Sequence, residues 1–89
     1  MISNLMVLAT FDDYDSWRAN AFDTDSDRRA KVCEEERTIV SKVDNTSAII
    51  LMYGFDLDKM KEFVTNKDMI EREKQYNVSH EIYTFSPIF

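Results

Sequence analysis

The side chain best suited to move a proton near neutral pH is the single histidine, His80. An unperturbed imidazole titrates near a pKa of about 6.5, so its surroundings decide its charge. Apolar periodicity places His80 at the start of the last predicted strand, in the neighbourhood of Tyr76. There it would act as a general base if it faced a pocket. The competing interpretation is a surface or interface histidine at a strand end.

Aromatic residues offer a second kind of chemistry, the enclosure of a planar ligand. Some lie on the first predicted helix and others on the predicted sheet, and an arginine between them would anchor an anionic group at the mouth of a pocket. The alternative is that these rings fill the core of a small domain. The predicted pocket residues are Tyr14, Trp17, Arg18, Phe22, Tyr53 and Tyr83.

Acidic residues at Asp23, Asp25, Asp27 and Glu34 have the spacing of a calcium-binding loop. The sixth position of such a loop needs a glycine for its sharp turn, and this chain has Arg28 there. We therefore predict no metal site and no cofactor.

The single cysteine, Cys33, precedes three consecutive glutamates at positions 34–36. Neighbouring carboxylates disfavour a thiolate, so a buried structural thiol is favoured over a nucleophile.

The elements that would position these residues follow from apolar spacing, because the chain has one glycine and one proline. Asp12 or Asp13 is a predicted N-cap for a first helix. Residues 23–27 are predicted to form a kink or loop, and residues 28–35 to resume as helix. Asp56 caps a second helix, which either continues past residue 64 or is followed by another short helix. The predicted strands are residues 5–11, 38–43, 47–55 and 80–85.

The resulting order, β-α-β-β-α-β, predicts an α+β fold with a ferredoxin-like antiparallel sheet and both helical regions on one face. The third strand is apolar on both sides, with Ala48, Ile50 and Met52 opposite Ile49 and Leu51. Monomers rarely expose such a patch, so we expect a homodimer that packs through the open sheet face. The alternative is that residues 86–89 and long polar side chains cover it.

This order, the Tyr14-x-x-Trp17 helix, the two-sided third strand and the short aromatic fourth strand resemble the dimeric α+β-barrel superfamily. The similarity covers the whole chain and is greatest to small bacterial members of unassigned function. It implies a barrel of two face-to-face sheets, and an activity drawn from cofactor-independent monooxygenases, haem-degrading enzymes, isomerases or proteins without catalysis. Its enzymes place asparagine, tryptophan and histidine or arginine around their cavity. Asn4, Trp17 and His80 do not match those positions, so none is carried over as catalytic.

Length and charge narrow the possible domain organisation, partners and location of the protein. The 89 residues fit one domain, residues 1–89. The net charge of −6 argues against a nucleic-acid partner, and the longest apolar run, residues 48–53, is too short for a membrane helix. With one cysteine and no secretory pattern, the expected location is cytoplasmic.

The sequence thus predicts a small non-enzymatic ligand-binding or interaction domain that acts as a homodimer. The alternative is a cofactor-independent monooxygenase-like enzyme acting on a small planar aromatic substrate.

Overall fold

The computed structural model describes residues 1–88 and has an α+β fold with a four-stranded antiparallel sheet. Helices connect the first strand to the second and the third strand to the fourth. The strand order across the sheet is β2-β3-β1-β4. Among the described residues no helix is long and apolar enough to cross a membrane. The strands are β1 (Ile2–Thr10), β2 (Ile39–Asp44), β3 (Ser47–Asp56) and β4 (Ser79–Phe85).

The hairpin between β2 and β3 has the turn that its composition predicts. The Asp44 carboxylate accepts hydrogen bonds from the Thr46 amide at 2.9 Å and from the Ser47 hydroxyl at 2.8 Å. A short acidic side chain at this position stabilises a turn by bonding the backbone two residues on.

The first helical region consists of short pieces. It contains α1 (Tyr14–Trp17), a π-helical turn (Arg18–Phe22), a 3₁₀ turn (Asp23–Asp25), α2 (Ser26–Ala30) and a second 3₁₀ turn (Glu35–Arg37). Asp13 caps α1 as predicted, accepting a 3.0 Å hydrogen bond from the Ser16 amide.

The predicted kink or loop at residues 23–27 is not a loop: the chain passes there from the 3₁₀ turn into α2. The helix predicted over residues 28–35 was wrong in its extent, because it ends at Ala30. The chain leaves the helix because the end of β3 competes for its backbone groups. The Glu34 amide donates to the Tyr53 carbonyl at 2.9 Å, and the Asp56 amide donates to the Val32 carbonyl at 2.9 Å.

The second helical region breaks after Val64. It contains a 3₁₀ turn (Leu57–Lys59), α3 (Met60–Val64) and α4 (Lys67–Tyr76). Asp56 caps its start, and Asn66 caps α4 by accepting a 3.1 Å hydrogen bond from the Met69 amide. Asn77 ends α4 in the left-handed conformation, with φ of 57°, a common helix stop for asparagine. The broken arrangement is therefore the one adopted, and Met69 lies on a separate helix.

Alternation along the strands separates two faces. On the helix-facing side the buried residues come from the two central strands and from the start of the first helical region. Burying these apolar side chains is the main source of the stability of the fold. The buried core consists of Leu5, Val7, Ala9, Phe11, Trp17, Ala48, Ile50, Met52 and Phe55.

The opposite, open face of the sheet is also apolar. Half of Ile39 and 46% of Tyr83 are exposed there, and the Tyr53 and Phe85 rings meet edge to face with centroids 5.8 Å apart. Ile88, the last residue that the structure describes, is 91% exposed, and Phe89 lies outside the described residues. The apolar side chains that strand pairing places on this face are Met6, Leu8, Ile39, Ile49, Leu51, Tyr53, Tyr83 and Phe85.

Gly54 makes a bulge in β3 that changes which face Phe55 occupies. Between β1 and β3 the pairing moves from Leu5↔Met52 to Ser3↔Phe55, so β3 carries one extra residue. Gly54 has φ of 65°, and its amide donates to the Asn4 side chain at 3.2 Å. The bulge returns Phe55 to the core, where it is fully buried.

We expect Gly54→Ala to lower the free energy of unfolding by about 1–2 kcal/mol, the cost of a left-handed backbone for a residue with a Cβ. The added Cβ would also lie 2.7 Å from Glu34 Oε2, but that flexible carboxylate can move away. Urea unfolding of wild type, Gly54→Ala, and Gly54→Ala combined with Glu34→Ala separates the two effects. Glu71→Ala, at an exposed position of α4, is the control. A Gly54→Ala loss within about 0.5 kcal/mol would contradict the assignment.

Candidate functional site: a cavity between the sheet and the helices

A cavity of about 90 Å³ lies between the helix-facing side of the sheet and the helical layer. Its floor comes from β1, β3 and β4, and its other walls come from both helical regions. Most of its lining is apolar, with polar groups from Asp25, Arg29, Arg72, Glu73 and His80. The lining side chains include Leu5, Val7, Trp17, Ala21, Phe22, Ile50, Met52, Phe55, Met60, Phe63, Val64, Met69 and Ile82.

Aromatic side chains of the first helical region form one wall. The Trp17 ring stacks on Phe11 with centroids 4.4 Å apart and planes 12° from parallel, and it meets Phe22 at 5.3 Å. The π-helical turn begins directly after Trp17 and ends at Phe22. Phe22 is covered by the Arg29 guanidinium, 3.6 Å from its ring centre. This cation–π contact fixes one wall of the cavity.

Arg29 is buried and fully engaged by the protein. Its Nε donates to Glu35 at 3.0 Å, and its Nη1 donates to the Phe22 carbonyl at 2.6 Å. A buried guanidinium needs these partners, since an unpaired buried charge is strongly destabilising. Arg29 therefore acts as a structural part of the wall.

Asp25 joins the two helical regions at the polar end of the cavity. Its carboxylate accepts hydrogen bonds from Arg28 Nη2 and from Arg72 Nη2, both at 2.6 Å. The Asp25 side chain is 11% exposed. Charge-assisted hydrogen bonds of this length are among the stronger ones in proteins, so this contact holds α4 against the first helical region.

His80 and Glu73 form the second polar pair. His80 Nδ1 lies 3.4 Å from Glu73 Oε1, and their side chains are 27% and 23% exposed. Burial lowers the pKa of His80. Burial, and then the Asp25 carboxylate, raise the pKa of Glu73. Both shifts favour the uncharged forms, so the surroundings favour a neutral imidazole at neutral pH.

The predicted pocket residues divide between the two faces of the sheet. Trp17 and Phe22 line the cavity, as does the candidate general base His80, whereas Tyr14 is not among the lining residues. Arg18 lies outside it, donating to the Tyr14 hydroxyl at 3.1 Å and to Asp23 at 2.9 Å. Tyr83 pairs with Met6 on the open face, and the Tyr53 ring meets Phe85 on that face, so one cavity does not unite the six residues.

The acidic run and the cysteine have other surroundings. Asp25 points to arginines, whereas Glu34 pairs with Arg37 at 2.9 Å. Among residues 1–88 no group of three or more histidine, cysteine, aspartate or glutamate side chains is placed to hold a metal ion. Burial and the Glu35 carboxylate raise the pKa of Cys33 to about 11. Its thiol is therefore protonated at neutral pH, as a structural cysteine would be.

Sequence reasoning missed Asp25, Arg72 and Glu73 as cavity residues. Arg72 and Glu73 lie in a charged helix, and the Asp25–Arg72 contact joins residues 47 apart in the chain. The polar side chains of a half-exposed helix carry no sequence signal that tells inward from outward. Phe55 lies on this side because of the bulge at Gly54, and a glycine inside a strand is a recognised sign of a bulge.

The size of the cavity limits what it holds. An engineered cavity of about 150 Å³ binds benzene, and typical ligand pockets have about 300–1,000 Å³. At about 90 Å³ this cavity takes a molecule smaller than one aromatic ring unless the helices move. Haem is far too large for it.

A comparison with protein-family models, curated proteins and solved structures found no match to this chain.

The pKa of His80 predicts how stability depends on pH. Because the folded pKa lies below the unfolded value of 6.5, the unfolded chain binds a proton more readily. We expect wild type to lose stability relative to His80→Gln as the pH falls from about 7.5 through 6.5, and to level off below the folded pKa. Urea unfolding at several pH values measures this difference.

Glu73 has the opposite effect and provides the control. Its raised pKa contributes stability below the ordinary value of 4.5 that is lost as the pH rises through the folded value. Measuring the histidine effect in a Glu73→Gln background separates the two groups. A wild type that gains stability relative to His80→Gln on acidification would show that an ion pair with Glu73 outweighs burial.

Proposed function

We propose that this protein is a non-enzymatic domain that acts as a homodimer through the open face of its sheet and binds a small ligand in the helix-side cavity. The observation that carries the proposal is the row of apolar side chains on the open face. A sheet that meets water on one face normally alternates apolar with polar residues. Met6, Leu8, Ile49 and Leu51 break that pattern on the two central strands.

We further propose that the topology is ferredoxin-like and that two copies form a dimeric α+β barrel. Support comes from the order β2-β3-β1-β4, in which β3 separates the two strands joined by the first helical region, and β1 separates those joined by the second. That interleaving is the arrangement of two split βαβ units. Both helical regions contribute residues to the one cavity, which keeps the other face free for a second sheet.

The dimensions of the open face favour a second copy of the chain. Four strands about 4.8 Å apart and roughly seven residues long give a flat area of roughly 400–500 Å². Side-chain relief increases that area toward the roughly 800 Å² that each partner buries in a standard interface. Glu81 accepts a 2.7 Å hydrogen bond from the Tyr83 hydroxyl on this face, and Arg37 covers part of Tyr53 at 4.3 Å. These groups suit the rim of an interface with an apolar centre.

Leu51→Lys tests the interface. In a dimer it would bury an unpaired charge at the centre of the interface, whereas in a monomer it meets water. We expect wild type to scatter light as twice 10.5 kDa and Leu51→Lys as a single chain. Gln75→Lys adds the same charge on exposed α4 and should stay dimeric. A wild-type protein that is monomeric at every concentration would contradict the proposed homodimer.

Ligand binding is supported by the make-up of the cavity, which is mostly apolar with a few convergent polar groups, as small-molecule sites generally are. Arg29 and Asp25 are already satisfied by protein partners.

The second candidate is a monooxygenase-like enzyme, favoured by one observation: His80 lines the cavity beside Glu73. A neutral imidazole is able to accept a proton from a substrate hydroxyl. The small cavity would have to widen for a planar aromatic substrate.

Oxygen uptake with a panel of monocyclic phenols, measured against a protein-free blank, tests this candidate. The enzyme interpretation expects turnover that His80→Gln reduces by about 10²-fold or more, with little change in Glu81→Gln. Glu81 is the next residue of the same strand and lies on the opposite face. The non-enzymatic proposal expects no uptake above the blank.

A further inference from the structure

We propose that a surface groove between the two helical regions is a second binding site, which takes a small organic carboxylate with an apolar body about the size of one ring. The site is separate from the helix-side cavity and does not depend on the function proposed for that cavity. The size of the groove, its two unpaired lysines and its apolar floor support this assignment.

The groove is large enough for such a molecule. Its volume is about 370 Å³, compared with about 90 Å³ for the cavity. Ligand pockets typically have about 300–1,000 Å³, and about 150 Å³ holds benzene, so a ring and a carboxylate fit the groove together. The lining comes from the end of α2, the chain after it, and the second helical region from its 3₁₀ turn to the cap of α4. The lining residues are Arg28, Lys31, Val32, Lys59, Glu62, Phe63 and Asn66.

Two lysines give the groove its charge. Lys31 and Lys59 are exposed, and within residues 1–88 neither ammonium group has an ion-pair partner. The charge of Arg28 is already offset by its 2.6 Å contact with Asp25. Glu62 is the one acidic residue of the lining, so the two free lysines exceed it by one charge. A positive surplus in a groove of a chain whose net charge is −6 favours a ligand with one negative charge.

Val32 and Phe63 supply an apolar floor that is held in place by the protein. The Arg28 guanidinium lies 4.1 Å from the centre of the Phe63 ring and donates from Nη1 to the Phe63 carbonyl at 2.8 Å. The Phe63 ring also meets Phe55 edge to face at 5.5 Å, and the Val32 carbonyl accepts a 2.9 Å hydrogen bond from the Asp56 amide. Because these contacts fix the floor before a ligand arrives, binding has a smaller ordering cost.

The experiment is an NMR titration of the full chain with benzoate, benzyl alcohol and benzylammonium, which share one ring and differ in charge. We expect benzoate to shift the methyl signals of Val32 and to leave those of Ile50, a cavity residue, almost unchanged. Benzoate should bind about threefold to tenfold more tightly than benzyl alcohol, and benzylammonium should bind most weakly. Raising sodium chloride from about 0.05 M to about 0.5 M should remove the advantage of benzoate, since salt screens exposed charges.

Variants then connect the lysines to the affinity. Lys31→Gln and Lys59→Gln each remove one charge from an exposed side chain, so we expect each to weaken benzoate binding about threefold. The double variant should bind benzoate no more tightly than benzyl alcohol. Lys74→Gln removes the same charge from an exposed position of α4 outside the groove, and as the matched control it should bind as wild type does.

The contrary results separate the groove from the cavity. Benzoate that binds no more tightly than benzyl alcohol would overturn the assignment of a carboxylate ligand. Unchanged benzoate affinity in the double variant would overturn the role of the two lysines. Shifts at Ile50 instead of Val32 would contradict the groove site and support the ligand-binding function proposed for the cavity. No binding of any of the three compounds would overturn the groove site and leave the proposed function of the cavity unaffected.

Discussion

The contact of Asp25 with Arg28 and Arg72 is the interaction on which the helical layer depends. Neither helical region has a long amphipathic helix, and α1, α2 and α3 are four or five residues long. Helices this short have little stability of their own. A carboxylate bonded at 2.6 Å to guanidinium groups of both regions holds α4 in register with the first region. Asp25 and Arg72 also line the cavity, so the contact that joins the two helical regions forms part of its polar end.

The sheet separates two surfaces with different chemistry. The helix-facing side carries the buried core and the cavity, and the open side carries apolar side chains with few charges. Tyr53 and Tyr83 belong to the second surface, while Trp17 and Phe22 belong to the first. Aromatic residues that are similar in sequence therefore serve different purposes, and the proposed interface and the proposed ligand site share no side chain.

The fold was predictable where a local sequence pattern, such as strand alternation or a helix cap, decided the structure. Alternation in β3 grouped Ala48, Ile50 and Met52 on one face, which is the buried one, and Asp13 and Asp56 cap helical segments as expected. Predictions failed where distant backbone groups decided the outcome, as where β3 draws residues 32–34 out of a helix. The candidate site was half predictable. His80 was accessible to reasoning as the only histidine, whereas Arg72 and Glu73 became cavity residues through a contact with a carboxylate far away in sequence.

The two surfaces are nevertheless mechanically connected, because each central strand contributes to both. Leu5 and Val7 form the cavity floor, and Met6 and Leu8 between and beyond them lie on the open face. A second sheet clamped on the open face would limit changes in the twist of β1 and β3, and so would hold the cavity floor rigid. The helical layer would then be the wall free to move, since its short pieces are joined to the sheet by loops and to one another by Asp25. Of that layer, α4 contributes Met69, Arg72 and Glu73 to the cavity, so a displacement of α4 would change the shape of the cavity while the strands that form its floor stay in place.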